Sequence, residues 1–165
     1  MIFHPPSEDY PYQVAAHGDL SVGGLTSLAA IDAALDRLDA LRRGVDGGVY
    51  PDGHVENEMW VVCVVPTFVT TLPFEERLDV PTMDVGVGSD RVPVHWDHEE
   101  GGHNATARSE RPEDAEDRTE LTYRTGGDWG WTTPAELVPA DAAREAVRQW
   151  LTTGRRPTNI AWEDL

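Results

Sequence analysis

Apolar residues recur at helical spacing in the first third of the chain. From Ser27 to Arg43 an aliphatic residue occurs every three or four positions, so that these side chains would form one apolar stripe along a helix. The stripe consists of Leu28, Ile31, Leu35, Leu38 and Leu41. We predict a packing helix over about 27–43, with Asp32, Asp36 and Asp39 facing solvent and Gly44 as a left-handed stop.

A second helical pattern lies near the C-terminus. Pro139 suits a first turn, and Gly154 suits a helix end. The predicted helix spans about 139–153, with Arg144 and Arg148 pointing outward. Its buried stripe would comprise Ala143, Val147, Trp150 and Leu151.

The remaining apolar segments have the period or composition of strands. Met59 to Val65 is an almost uninterrupted apolar run, typical of a central strand buried on both faces. Residues 82–96 read as a hairpin, and a second hairpin turns at Gly126-Gly127. Thr158 to Trp162 alternates as a C-terminal strand. The pattern therefore predicts an α+β fold with a mostly antiparallel sheet and two main packing helices.

Length and composition favour one domain over residues 1–165. The chain has 12 Pro and 15 Gly, and no apolar run approaches the roughly 20 residues that cross a bilayer. The N-terminus has neither the basic region nor the apolar core of a signal peptide. With Cys63 as its single cysteine, the chain has no disulfide framework, so we expect a reducing cytoplasm.

The charge is strongly negative: 30 acids oppose 13 bases, all of them Arg, for a formal net charge of −17. Such a field repels phosphates and anionic lipids, so we expect no direct binding to nucleic acid or membrane. It would attract a cationic partner. Solubility, salt adaptation and GC-rich coding are competing explanations of the same composition.

The stretch "HWDHEEGGH" raises the possibility of a metal site. His95, His98 and His103 are accompanied by Asp97, Glu99 and Glu100, all of which are possible metal ligands. However, the Gly-Gly pair and the preceding strand pattern argue against a rigid support. We instead predict a mobile acidic loop over about 99–119, and assign no metal site.

No sequence motif in the chain indicates a catalytic site or a cofactor. The chain has no glycine-rich phosphate loop and no nucleophile elbow, and Cys63 sits mid-strand. Trp129 and Trp131 share one face of a predicted strand. Such a pair is usually half-buried core, and the alternative is an aromatic platform beside Asp128 for a partner.

The C-terminal segment "VPADAAREAVRQWLTTGRRPTNIAWEDL" resembles the first-named immunity-protein family of bacterial polymorphic toxin systems. The matching elements are Pro139, Ala143 to Val147, Thr153-Gly154, Arg156-Pro157-Thr158 and Trp162-Glu163. The Gly126-Gly127 hairpin and "DVGVGSDRVPVHW" are also similar to the family's sheet region. The motif around Pro157 and Trp162 suits a cap, a turn and a core strand, so we interpret it as structural.

This resemblance implies a non-enzymatic protein that neutralises a toxin encoded beside it, often one that targets nucleic acid, such as a deaminase. We expect a negatively charged plug in the toxin's basic cleft. The candidate contacts are the acidic loop (Asp97, Glu99, Glu100, Asp114, Glu116, Asp117) or the hairpin (Asp128, Trp129, Trp131). An interaction or regulatory module with another cationic partner is the alternative.

Overall fold

The computed structural model describes residues 2–44, 59–77, 80–98 and 103–165. They form a mostly antiparallel sheet with three helices, two of them long, which confirms the predicted α+β class. The strands are β1 Tyr12–Ala15, β2 Val22–Leu25, β3 Met59–Pro66, β4 Thr82–Val87, β5 Arg91–His98, β6 His103–Arg108, β7 Leu121–Thr125, β8 Asp128–Thr132, β9 Leu137–Pro139 and β10 Ala161–Asp164. The helices are α1 Leu28–Gly44, α2 Phe74–Arg77 and α3 Ala140–Thr153. None of these described helices has the length and apolar character to cross a bilayer.

The strand order is β10-β6-β5-β4-β3-β1-β2, with β7 also on β3 and β9 on β5. One edge of β3 is shared: Met59–Val61 pair in parallel with β7, and the next residues, Cys63–Pro66, pair with β1. The opposite edge of β3 pairs with β4. As a result β7 and its antiparallel partner β8 form a hairpin at the end of the sheet where β3 begins.

The two long helices pack on one face of the sheet. The core beneath them is continuous across β1, β3, β4, β5 and β6, because successive registered pairs such as Val62 with Val85 and Val85 with Val94 point to the same side. We call this side the helix face, and the opposite side of these strands the second face.

Helix α1 follows the predicted stripe for most of its length. The Ser27 hydroxyl accepts a hydrogen bond from the Ala30 amide at 3.1 Å, as an N-cap does. Two details were predicted wrongly: Leu41 is 39% exposed while Arg42 is buried, and Gly44 lacks the positive φ of a left-handed stop. The buried Arg42 packs where Gly88, at φ +89°, has no side chain: a Cβ there would lie 2.1 Å from Arg42 Cγ.

The acids of α1 also do more than face solvent. Arg148 Nε donates to Asp32 Oδ2 at 2.8 Å, and Arg144 donates to both Asp32 and Asp36. Asp36 and Arg148 are exposed as predicted, whereas Arg144 and Asp32 are largely covered, because α1 and α3 lie side by side. The ion pairs join the polar flanks of the two helices, above the apolar contact.

Helix α3 has the predicted stripe, with Ala143, Val147, Trp150 and Leu151 all buried. It ends at Gly154, whose φ of 68° is the predicted left-handed conformation. Any larger residue at this position would also meet the ring of Phe3. The N-terminal segment is therefore packed against the end of this helix.

Both hairpins are confirmed, but the extent of the acidic loop is not. Residues 103–108, which we placed within the loop over 99–119, form β6, paired with β5 and β10. The missed signal is small: Ala105 and Ala107 are the apolar residues that face the core, and both are fully buried. The predicted C-terminal strand exists as Ala161–Asp164, a few residues later than predicted.

Candidate interaction site

Residues 109–120, which we call the acidic segment, contain six acids and two arginines. Arg91, at the start of β5, holds this segment to the sheet. Its Nη1 donates to Glu110 Oε1 at 2.6 Å and its Nη2 to Glu110 Oε2 at 2.9 Å. The same Nη2 lies 3.0 Å from Ser109 Oγ and 2.8 Å from the Leu137 carbonyl oxygen. One largely covered guanidinium thus links β5, β9 and the first residues of the acidic segment.

Local hydrogen bonds hold the rest of the acidic segment. The Ser109 hydroxyl donates to Asp114 Oδ2 at 3.2 Å, and the Thr119 amide donates to Asp117 Oδ1 at 2.9 Å. These contacts leave the side chains of Glu113 and Glu116 exposed. The acidic segment therefore presents carboxylates from a defined backbone.

Two of these acids are held in the ionised form. The hydrogen bond from Arg91 is the main reason that the pKa of Glu110 falls to about 2. Hydrogen bonds from Thr119 lower the pKa of Asp117. A carboxylate that already accepts hydrogen bonds remains charged even in moderately acidic solution.

The β7–β8 hairpin presents two large aromatic side chains to solvent. Trp129 is 49% exposed and Trp131 is 65% exposed, so the interpretation of this pair as core is wrong. Both project from one face of β8, and the Arg124 guanidinium lies 4.8 Å from the ring centre of Trp129. The opposite face is closed by Tyr123, which packs on Gly130 so tightly that a Cβ there would lie 2.3 Å from the ring.

The acidic segment and this hairpin meet at one end of the sheet. A cleft of ≈ 470 Å³ is lined by Arg91, Glu120, Leu121 and Thr122 among others, so it joins the anchor of the acidic segment to the start of β7. The acidic segment, which includes Asp114, Glu116 and Asp117, therefore runs from the Arg91 anchor directly into the hairpin that carries Asp128, Trp129 and Trp131. We call this combined surface the acidic end.

Asp97 is not part of the acidic end. It follows Arg91 by six positions in β5, which places it about 20 Å away along the strand. Glu99 and Glu100, which we predicted to contact the partner together with Asp97, lie outside the described residues. The structure therefore divides the predicted contact residues between two regions.

Sequence reasoning missed a row of polar side chains on the second face. Cys63, Asp84, His95 and Thr106 occupy directly paired positions on β3, β4, β5 and β6. Asp97 lies two residues beyond His95 on the same face. A signal was present, since Asp84 interrupts the otherwise apolar strand "TMDVGV", but which residues it faces depends on the strand register.

The electrostatics of this row reflect its burial. Desolvation raises the pKa of Asp84, opposed by a hydrogen bond from the Cys63 thiol and by the charge of His95. Desolvation likewise raises the pKa of Asp97, and His95 again opposes it. Burial, followed by the charge of Asp84, raises the pKa of Cys63 well above its ordinary value. The thiol therefore stays protonated, and it lacks the activation that a nucleophilic cysteine requires.

Within the described part of the chain, no three His, Cys, Asp or Glu side chains lie close enough together to hold a metal ion. His98 and His103 occupy paired positions at the end of the β5–β6 ladder. Their side chains lie outside what the structure describes, so the predicted cluster over 95–103 is covered only in part.

The C-terminal motif binds its own chain. Trp162 Nε1 donates to the Pro157 carbonyl oxygen at 2.8 Å, and the Thr158 amide donates to Gln149 Oε1 at 3.0 Å. The Arg156 guanidinium stacks 5.1 Å from the ring centre of Trp96. These contacts tie the end of the chain to α3 and to the sheet, in agreement with a structural interpretation of the motif.

Fold and surface together define an acidic α+β protein in which the scaffold holds several charged side chains, among them Glu110, Asp114 and Asp117. Residues 24–164 match the model of the family described as immunity protein Imm1, and the chain belongs to that family. The match extends from β2 to β10 and confirms the resemblance of the C-terminal motif. Membership supports a role as an immunity protein, which implies binding to a cognate toxin. No curated protein matches the sequence.

Proposed function

We propose that this chain neutralises, in the cytoplasm, a toxin that targets nucleic acid, of the deaminase or nuclease type. It acts by binding and not by catalysis. The acidic end covers the basic cleft with which such a toxin grips phosphate. Asp97, on the second face, adds negative charge in a region separate from the acidic end, and we include Glu99 and Glu100, which follow it in the sequence, among the contact residues.

The observation that carries this proposal is the combination of ordered carboxylates with exposed tryptophans. Tryptophan is enriched among the residues that dominate binding energy at interfaces, and charged neighbours steer encounter. Because Arg91 holds the first residues of the acidic segment through the side chains of Ser109 and Glu110, less ordering entropy is lost when its acids meet a basic surface.

The direct test is protection of cells. The toxin domain encoded immediately upstream would be expressed with and without this chain, and survival would be measured. We expect full rescue by the wild-type chain. Loss of viability despite good expression of the folded chain would contradict the proposal.

The contribution of charge can be measured with a matched pair of variants. Changing Glu113→Gln, Glu116→Gln and Asp117→Asn together should slow association with the purified toxin domain by about tenfold or more, and should weaken its salt dependence. The control, Glu8→Gln, Glu75→Gln and Asp9→Asn, alters three exposed acids elsewhere by the same net charge. Equal association rates for the two triple variants would show that the acidic segment has no special role.

The contribution of the exposed tryptophans to affinity can also be measured against a matched control. Trp131→Ala should weaken binding by about 30-fold or more, the range of an interface hot spot. Phe74→Ala removes a comparably exposed aromatic side chain, 71% exposed, from α2 on another part of the surface and should leave binding unchanged. Calorimetry with the same toxin domain would measure both, and equal affinities would place the contact away from the hairpin.

A further inference from the structure

The second face contains two desolvated carboxylates close to each other. Asp84 is paired in register with His95, and Asp97 is two residues further along β5, in the diagonal position. Diagonal positions across an antiparallel pair lie about 7–8 Å apart at the backbone, so one planar cation can contact both side chains. All three side chains are half-buried, which leaves them partly accessible from solvent.

Among the side chains that the structure describes, no cation compensates this pair beyond His95. Of the described groups, His95 is the basic one whose charge lowers the pKa of either aspartate. Arg108, further along β6, is engaged with Glu163, with Nε 4.0 Å from Oε2. The residues outside the described ranges include no Arg or Lys, because all 13 arginines lie within those ranges.

A separate observation points to a missing ligand at the same place. Thr106 is directly paired with His95 and projects from the same face of the sheet. The residue is 2% exposed, and its Oγ1 finds no hydrogen-bond partner among the described residues. A buried hydroxyl without a partner is costly, and such a group is commonly satisfied by a bound molecule.

We propose that Asp84, Asp97, His95 and Thr106 form a receptor site for one arginine side chain of the toxin. This inference rests on the proposed function and names a second contact region, distinct from the acidic end. A guanidinium is planar and carries five donors, so it can bridge two carboxylates and reach the Thr106 hydroxyl, whereas an ammonium is a point charge. A divalent metal fits less well, since no three ligands converge in the described residues.

The chemistry of the site agrees with this assignment. Burial makes both aspartates costly to ionise in the free protein, and a bound guanidinium would reverse that cost. Residues that oppose folding but improve binding are a familiar feature of functional surfaces. The site therefore predicts opposite effects of one substitution on stability and on affinity.

The test uses Asp84→Asn and Asp97→Asn in the full chain, with the purified upstream-encoded toxin domain as the probe. Each variant should bind at least about 30-fold more weakly, because the arginine loses a desolvated partner, while its Tm stays equal to or above that of the wild type. Asp9→Asn, an exposed acid of the N-terminal segment, is the control and should change neither quantity. A structural role for the aspartates would instead lower Tm together with affinity.

A second measurement does not depend on variants. Carboxyl ¹³C NMR titration of the wild-type chain should show the pKa values of Asp84 and Asp97 falling by at least one unit when the toxin domain binds. Unchanged pKa values, or wild-type affinity in both variants, would overturn the receptor site while leaving the immunity role intact. Failure of the wild-type chain to bind the toxin domain at all would contradict the proposed function itself, and this inference with it.

Discussion

Arg91 contacts both carboxylate oxygens of Glu110, through two N–O distances of 2.6 and 2.9 Å. The guanidinium also reaches the Leu137 carbonyl oxygen, so it links the acidic segment to β9 as well as to β5. Arg91 is the less exposed of the two side chains, at 17% against 53% for Glu110. Removal of the arginine should therefore have larger consequences than removal of the carboxylate charge.

Replacement of Arg91 by Met is expected to lower the free energy of unfolding by about 2 kcal/mol, because several charge-assisted hydrogen bonds are lost and the Leu137 carbonyl loses a donor. Glu110→Gln should cost less than about 1 kcal/mol, since that carboxylate is largely solvated. Urea denaturation measures both. Equal costs would indicate that Leu137 gains nothing from Arg91.

Acid should weaken the attachment of the acidic segment. The pKa of Glu110 in the folded protein is about 2, below its ordinary value of 4.5. Its ionised form therefore contributes stability that is complete above pH 4.5 and lost as the pH falls towards about 2. Asp84 and Asp97 act in the opposite sense, because their folded-state pKa values are raised and their protonation favours the fold.

The free energy of unfolding of Glu110→Gln should accordingly depend less on pH than that of the wild type across this window. Denaturation at a series of pH values, for both proteins, isolates the contribution of this residue. Parallel curves would show that the ion pair is absent in solution.

Gly130 should not tolerate a side chain. A Cβ at this position would lie 2.3 Å from Tyr123 Cε2, so Gly130→Ala must displace the ring or the strand. We expect a loss of about 1–3 kcal/mol, the usual range for overpacking. Gly127→Ala is the matched control, with nothing within 4 Å of its Cβ and no positive φ. Thermal unfolding would compare them, and similar Tm values would mean that the hairpin packs more loosely than described.

Trp162 should matter for folding and not for binding. Its Nε1 donates to the Pro157 carbonyl oxygen, so Trp162→Phe removes one hydrogen bond and keeps most of the packing. The expected cost is about 1 kcal/mol of stability, with unchanged affinity for the toxin domain. If affinity falls while Tm is constant, the C-terminal motif would belong to the interface.

Local pattern was sufficient for the two long helices and the two hairpins, but it did not predict the short helix α2. The stripe of α3 and its stop at Gly154 depend on residues three and four apart, and both were predicted correctly. Strand β6 was not, because its core-facing residues are alanines set among polar neighbours, and its identity as a strand comes from β5 and β10 on either side. In α1 the pattern assigned Leu41 to the core, but the neighbouring Gly88 makes room for Arg42 there.

By itself the sequence determined the α+β class, the two long helices, the excess of acids and the family of the chain. These properties follow from periodicity, composition and short ordered motifs, all of which are local. Only the tertiary structure decided that Trp129 and Trp131 face solvent, and that Asp97 is about 20 Å from the anchor of the acidic segment along its strand. It also decided that Asp84, His95 and Thr106 share one row. Strand register creates that row, and register depends on how neighbouring strands pair, which the pattern within one strand does not fix.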